Sequence, residues 1–533
     1  MALLERTEEL TVSSALAMRA TRDPDHPYLV FEGGEVGFGE VDGQAEALAA
    51  ALANLGIGAG DRIALLLPAC PEFAVAMFAA AKLGAMVVPL NPRLTAPELQ
   101  YMLRHSEALC AVTIERHRGV DYLQLFEDVM PQLPALRYLV TVGEEELWHD
   151  DRIFQFEDLL SAGAGRDFPT ASVDPETCFA LLYTSGTSGK PKGVELSHTN
   201  LLSAAGGTAE AIGLDAGDRL VGISALFHVH GLAPGLLGSL LAGSAIVLQD
   251  EVDADGTLDA VERFGATVHF GIPTLFVREL ERQSEEPRDL STLRLAVISG
   301  APVSDTLVRS LTEAFGVPVV AGYSLTETAS TVSASLPGDS PEKRRFTVGR
   351  PIRGTVVRIV DGEADEGSEL PVESVGEIRV KGPGVMIGYY RQPRQTAEAF
   401  DADGYFRTGD LGLIDEEGFL HLVGRTKDVI IRSGFNVYPR EVESRIEAHP
   451  AVQEVAVVGV ADELLGEAVC ACIVPVEGAI VTGQEIVEWC RETLADDKVP
   501  DLVRFLDALP RSDTGQVLRV ELARTAHAEG QSA

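Results

Sequence analysis

The chain is 533 residues long and 46% apolar, more than one hydrophobic core usually supports, so a large multi-part body and at least one further domain are expected. Against 43 Lys and Arg stand 81 Asp and Glu, a formal charge of −38 that repels the phosphates of nucleic acid and anionic lipid and excludes a broad basic face for either. Any anionic small ligand must therefore be met by local positive potential from backbone N–H groups, a few Lys and Arg, and a metal.

The N-terminus, MALLERTEEL, mixes charges with apolar residues and has no basic stretch followed by an apolar core, so no secretory signal is expected. Leu48, Leu52 and Leu55 fall at i, i+4 and i+7 before Gly56, and the apolar run Arg62 to Leu67 follows, which reads as helix and then buried strand. The same alternation recurs at Phe73 to Leu83 with Met86 to Leu90, and around Ala260 to Gly271 with Leu295 to Ser299. Such alternation predicts an α/β fold with largely parallel sheets covered on both faces. Val221 to Leu248 holds no charged Asp, Glu, Lys or Arg and is long enough to span a bilayer. His228, His230, Pro234 and five glycines divide it, so it predicts a buried strand, a loop and a core helix, with no membrane span.

After about residue 345 the texture changes to strand pairs around acidic turns, such as Thr355 to Val360 and Gly376 to Lys381, which predicts a small β module. Past Gly424 a compact α+β tail begins, with Pro439 at a first helical turn and Val442 and Ile446 as an i, i+4 apolar pair before His449-Pro450. Strands at Val455 to Val460 and Cys470 to Val474, a helix near Gln484 to Leu494 and a strand near Val503 to Leu506 complete it. The expected division is residues 1–424, stacked α/β sheet layers plus the β module, and residues 425–533, a small mobile domain. The six cysteines lack metal-ligand spacing and read as reduced thiols, which makes the cytoplasm the expected compartment.

The strongest local signal is TSGTSGKPKG. Thr184, Ser185, Thr187 and Ser188 supply hydroxyls, Gly186 and Gly189 free the backbone to wrap, and Lys190 and Lys192 supply charge, a composition suited to polyphosphate. A Walker loop is excluded, because it would need Gly at Thr184 and Ser or Thr at Pro191.

With LFHVHG at Leu226, SGAPV at Ser299, AGYSLTET at Ala321, YFRTGD at Tyr405 and GRTKDVIIRSGFNVYPREVE at Gly424, the ordered series resembles the adenylate-forming superfamily of acyl-CoA synthetases, firefly luciferases and nonribosomal peptide adenylation domains. The resemblance covers most of the chain. It implies ATP held at Thr184 to Lys192, Mg²⁺ on the Glu327 carboxylate, and the α-phosphate on Thr326. It implies adenine held by Gly300, Ala301, Pro302, Gly322 and Tyr323, and ribose by Asp410 and Arg425. His228 resembles the residue that lines or gates the acyl pocket, while His230 stays open between pocket and core. Arg278, in PTLFVREL, has two readings: a partner for the second carboxylate of a small diacid, reminiscent of malonyl-CoA synthetases, or a solvated helix residue. Lys427 occupies the family's hinge, and Ser433 and Gly434 match positions bordering the pantetheine tunnel.

One position departs from the family's pattern. The tail reads PRSDTGQVLR, with Gln516 where a lysine reaches the α-phosphate and carboxylate. A dipole replaces a charge at a strongly anionic transition state, which commonly removes several kcal/mol of stabilisation. Three functions remain open on the sequence: an ATP- and Mg²⁺-dependent ligase joining a small carboxylic acid to CoA through an acyl-adenylate, an adenylating enzyme serving a carrier-protein arm, an amine or another nucleophile, and a nucleotide-binding protein without turnover.

Overall fold

A computed structural model describes residues 4–143, 150–170, 172–184, 191–223, 225–300, 303–361, 367–433, 435–462, 465–511 and 517–530. Among these residues the large N-terminal body holds two long sheets. The first has nine strands in the order Arg350–Pro351, Ser330–Ala334, Val319–Leu325, Leu295–Ile298, Val268–Gly271, Arg219–Val221, Ala245–Val247, Pro27–Phe31 and Gly34–Gly37. The second has eight, in the order Gly388–Tyr389, Lys192–Ser197, Cys178–Thr184, Met86–Pro89, Arg62–Leu66, Cys110–Ile114, Tyr138–Val142 and Ile153–Gln155. The centre of each sheet is parallel, as helix–strand alternation demands; antiparallel strands close both edges of the first sheet and one edge of the second, whose other edge strand, Ile153–Gln155, runs parallel to its neighbour.

Helices fill the space around the sheets. Pro71–Leu83, opened by proline in its first turn and closed by left-handed Gly84, is buried from Phe73 through Leu83. A helix that is apolar all round belongs inside a core. Its one cation, Lys82, is paired with Asp42 at 2.7 Å, which offsets the cost of taking the ammonium out of water. Helices Phe38–Asn54 and Phe156–Gly163 cross so closely that a Cβ on Gly163 would lie 1.9 Å from the Ala47 carbonyl oxygen. The uncharged segment from Val221 is divided as its glycines predict. Strand Arg219–Val221 leads to a buried, widely wound helical stretch Gly231–Leu237 around Pro234, then helix Gly238–Ala242 and strand Ala245–Val247. No helix among the described residues is long and apolar enough to cross a membrane.

The change of texture near residue 345 corresponds to a four-stranded antiparallel sheet of Val356–Val360, Gly376–Lys381, Phe406–Ile414 and Leu420–Arg425. Inside it Arg379 is fully buried and bonded to Asp401 at 2.9 Å and Glu377 at 3.1 Å, with Arg358 on the same Asp401 at 2.5 Å.

A smaller C-terminal body follows. Strands Ile430–Arg432, Phe435–Val437, Val452–Asp462, Gly466–Pro475 and Leu502–Phe505 form one mixed sheet, covered by helices Pro439–Glu447, Gly483–Arg491 and Arg519–Gly530. Two of its strands run well past the apolar cores that mark them in sequence, because an antiparallel ladder continues through polar residues wherever the partner backbone is present. Arg440, in the first of these helices, donates to the Val303 carbonyl of the large body at 3.2 Å and pairs with Glu447 at 2.6 Å.

Candidate active site

The polyphosphate motif connects the two strands of a hairpin. Strands Cys178–Thr184 and Lys192–Ser197 pair antiparallel with Thr184 opposite Lys192, so the structure places both ends of the motif side by side. The intervening Ser185, Gly186, Thr187, Ser188, Gly189 and Lys190 lie outside the described residues. Lys192 carries its ammonium 4.7 Å from the centre of the Tyr389 ring, an attractive cation–aromatic geometry.

Glu327 stands in a tight turn between strands Val319–Leu325 and Ser330–Ala334. Two non-glycine residues just after it, Ala329 with φ 51° and Ser330 with φ 105°, occupy positive-φ backbone that side chains disfavour. The turn is held against that strain by the Thr328 hydroxyl, whose one proton is shared between the carbonyls of Leu325 at 3.1 Å and Ser330 at 2.9 Å. From the other side the Met386 N–H donates to the Glu327 carbonyl at 2.8 Å and the Tyr389 hydroxyl donates to Oε1 at 3.0 Å. Oε2 receives no hydrogen bond from a described residue. A carboxylate oxygen without a described hydrogen bond, with Thr326 half-buried beside it, is a donor that would suit a hard cation such as magnesium. The described residues contain no cluster of three or more His, Cys, Asp and Glu that would hold a metal by protein ligands alone.

Asp410, buried at 5% exposure, is gripped from both sides. Tyr323 donates its hydroxyl to Oδ2 at 2.5 Å, and Arg425, directly opposite Asp410 in the antiparallel ladder, reaches Oδ1 at 3.0 Å. Burial pushes the Asp410 carboxyl above its ordinary value, against the opposing pull of the Arg425 charge and the Tyr323 hydrogen bond. Tyr323 is itself buried, and it meets Asp410 through the polar tip of the aromatic ring expected to hold adenine. Gly300 is held at φ +89°, where a Cβ would stand 3.3 Å from Ile272 Cγ2, so glycine satisfies both backbone and space. A Cβ on Gly322 would find only ordinary contact, 3.5 Å from the Ser333 carbonyl. Ala301 and Pro302 lie outside the described residues.

His228 is solvent-exposed and stands against Phe227, ring centres 4.7 Å apart. Desolvation by the surrounding protein lowers its imidazole below the usual histidine value. His230 lies deeper. Its Nε2 is 3.4 Å from the Ser299 hydroxyl and its Nδ1 3.4 Å from the Ser330 hydroxyl, with Phe270 edge-on at 5.4 Å. Burial first, then the neighbouring His228, lowers it to about 4, so it is a neutral imidazole at pH 7. His230 thereby ties the residue before Gly300 to the strained turn after Glu327.

Other sequence-predicted residues stand apart from these contacts. Arg278 is exposed on helix Pro273–Glu285 and forms no ion pair among the described residues. Lys427 is exposed in the short turn Thr426–Asp428. Ser433 takes φ 52° and its N–H donates to the Leu465 carbonyl at 2.7 Å. Gly434 and Gln516 lie outside the described residues. Sequence reasoning passed over Tyr389, Ser299 and Ser330 as site residues. Ser299 begins a motif already noted, whereas Tyr389 owes its place to an edge-strand pairing that no local pattern announces.

Residues 16–390 match the AMP-binding enzyme family, and residues 441–516 match the AMP-binding enzyme C-terminal domain. A feruloyl-CoA synthase of Amycolatopsis sp is 34% identical over 95% of this chain and 97% of its own. The mitochondrial medium-chain acyl-CoA ligase ACSF2 of Bos taurus is 30% identical over 96% of this chain and 87% of its own. Among solved structures, ATP-bound MatB from Rhodopseudomonas palustris superposes with a TM-score of 0.86 at 31% identity, covering 97% of this chain and 99% of that one.

Proposed function

The chain belongs to the AMP-binding enzyme family, as an AMP-forming acid–CoA ligase, and from that premise we propose that it activates a small carboxylic acid with ATP on the surface between Lys192, Glu327 and Asp410. The observation that carries the reading is the pairing of Thr184 with Lys192 at the mouth of a phosphate-type loop whose lysine reaches the aromatic ring hydrogen-bonded to Glu327.

In the first step a carboxylate oxygen of the acid attacks the α-phosphorus of ATP, forming an acyl-adenylate as the bond to pyrophosphate breaks. Thr184, Ser185, Gly186, Thr187, Ser188, Gly189 and Lys192 hold the departing phosphates through backbone N–H groups, hydroxyls and one ammonium. Thr326 donates to the α-phosphate, Gly300, Ala301, Pro302, Gly322 and Tyr323 bound the adenine, and Asp410 with Arg425 holds the ribose. A magnesium ion on Glu327 would supply charge neutralisation across the phosphates. In the second step the CoA thiolate attacks the acyl carbonyl and AMP leaves.

The division falls between residues 1–424 and 425–533 with its hinge at Lys427, which lets one site close on ATP and reopen for a thiol. Ser433 and Gly434 border the thiol's entry in the second pose. His228 lines the acyl pocket and His230 stands behind it. The exposed guanidinium of Arg278 is free of ion pairs among the described residues, so a second carboxylate has a cation to meet. The six thiols, none in a disulfide, fit the cytoplasm.

Pyrophosphate, AMP and CoA are to be followed together across malonate, methylmalonate, short and long fatty acids and aryl acids. AMP formed in step with CoA consumption supports the ligase. AMP without CoA loss redirects the reading to a carrier-protein arm or an amine. Inert diacids beside reactive monoacids remove Arg278 from the pocket.

A further inference from the structure

Strand Gly388–Tyr389 is fastened to its neighbours through the backbone N–H groups of Met386, Ile387, Tyr389 and Tyr390. It pairs antiparallel with Lys192–Ser197, with Tyr389 opposite Val194 and Gly388 opposite Glu195. Met386 N–H donates to the Glu327 carbonyl at 2.8 Å, Ile387 N–H to Glu195 at 3.0 Å and Tyr390 N–H to Gly193 at 2.8 Å. The Tyr389 N–H is itself taken by the Thr396 hydroxyl at 2.9 Å. On this fixed backbone the Tyr389 side chain meets two charged groups at once: its hydroxyl donates to Glu327 Oε1 at 3.0 Å, and its ring face lies 4.7 Å from the Lys192 ammonium.

We propose that Tyr389 is a positioning residue that holds the Glu327 carboxylate and the Lys192 ammonium as one preset unit for a metal–polyphosphate ligand. The inference rests on the reading of Glu327 as the metal carboxylate. The hydroxyl fixes Oε1 and with it the plane of the carboxylate, while Oε2 takes no hydrogen bond from a described residue; the ring restrains a lysine stem that would otherwise sample many rotamers. Hydrogen-bond partners of metal ligands act by fixing orientation, and their removal typically costs about tenfold to a hundredfold in metal affinity.

The test uses the full chain and Mn²⁺ as a spectroscopic stand-in. Binding of Mn²⁺·ATP is read by electron paramagnetic resonance, and binding of ATP in EDTA by calorimetry, for the native chain and for Tyr389→Phe, Tyr389→Leu and Glu327→Gln. Tyr389→Phe keeps the ring and is expected to weaken Mn²⁺·ATP about tenfold or more while leaving metal-free ATP unchanged. Tyr389→Leu is expected to weaken both, because Lys192 loses its platform. Native Mn²⁺·ATP affinity in Tyr389→Phe, beside a clear loss in Glu327→Gln, overturns the positioning role alone. Native affinity in Glu327→Gln overturns the metal reading and the proposal with it. An equal loss of metal-free and metal-bound ATP in Tyr389→Phe also overturns it, since that pattern belongs to a general disturbance of the strand.

Discussion

Tyr323 and Asp410 are joined by a 2.5 Å hydrogen bond between a strand of the nine-stranded sheet and a strand of the antiparallel β module, and Arg425 completes the grip on the same carboxylate. Each carboxylate oxygen has two lone pairs, so both remain able to accept a further hydrogen bond from a ligand hydroxyl. Asp410→Asn keeps the shape and removes the charge. Its KM for ATP in acid-dependent pyrophosphate release is expected to rise about tenfold or more, the usual effect of weakening hydrogen bonds to a charged group. An unchanged KM would take Asp410 out of the nucleotide site.

His228 gives a pH dependence with a definite sign. Desolvation lowers its imidazole below the ordinary 6.5, so at pH 7 it is neutral and gains a proton only as the pH falls further. If the neutral ring borders the reacting carboxylate, the acidic limb of kcat/KM for the acid lies below pH 6.5. In His228→Asn that limb is expected to vanish and kcat/KM to drop on the order of tenfold to a hundredfold. A limb that persists in the variant belongs to another group.

The packed core of the β module makes a stability prediction. Burial opposes ionisation of Asp401, but the Tyr405 N–H and the guanidinium groups of Arg358 and Arg379 outweigh it and hold the carboxyl at about 2. With the folded value below the ordinary 3.8, this contribution is present above about pH 4 and is lost as the pH falls through about 2. Asp401→Asn removes one of the two carboxylates bonded to the fully buried Arg379, leaving Glu377, and is expected to cost about 3 kcal/mol at pH 7. Denaturant titrations at pH 7 and at pH 3 to 2 check both parts: the variant should lose midpoint at neutral pH and show a flatter acid response.

Gly163 tests the helix crossing. Because any Cβ there meets the Ala47 backbone, Gly163→Ala is expected to cost about 1–3 kcal/mol by forcing the two helices apart, instead of gaining helix propensity. A higher melting temperature for the variant would show that the helices have room to separate.

Gln516→Lys returns a cation to the tail motif. Acid-dependent pyrophosphate release is expected to rise at least about tenfold. No change would place residue 516 outside the reacting site.

Much of this was legible in the sequence because it is local. The buried helix that closes at Gly84, the parallel strand Leu295–Ile298 and the helix that opens at Pro439 each carry their apolar spacing and their stop signals within a dozen residues. Thr184 with Lys192, and Asp410 with Arg425, were legible as residues of recognisable strings, whereas the hairpin that pairs the first two and the ion pair that joins the second two came with the strand pairing. What escaped is produced by sheet order. Nothing near Tyr389 tells that its strand will lie at the edge beside Lys192, and nothing near His230 tells that Ser299 and Ser330 will converge on its two nitrogens. The positive-φ pair after Glu327 was equally hidden, because Ala329 and Ser330 are ordinary in sequence and strained only in place.

Arg425 ends its strand immediately before the short turn Thr426–Asp428 that leads to the C-terminal body, and Thr426 bonds the Gly409 carbonyl beside Asp410 at 3.1 Å. If the proposed hinge at Lys427 turns, the rotation would act on the arginine that balances the buried carboxylate. Thermodynamic reciprocity would then require the converse: a ligand that prefers Asp410 in its gripped state would draw the C-terminal body toward the orientation that keeps Arg425 in place, and with equal coupling strength. Occupancy and orientation would then be two readings of one equilibrium.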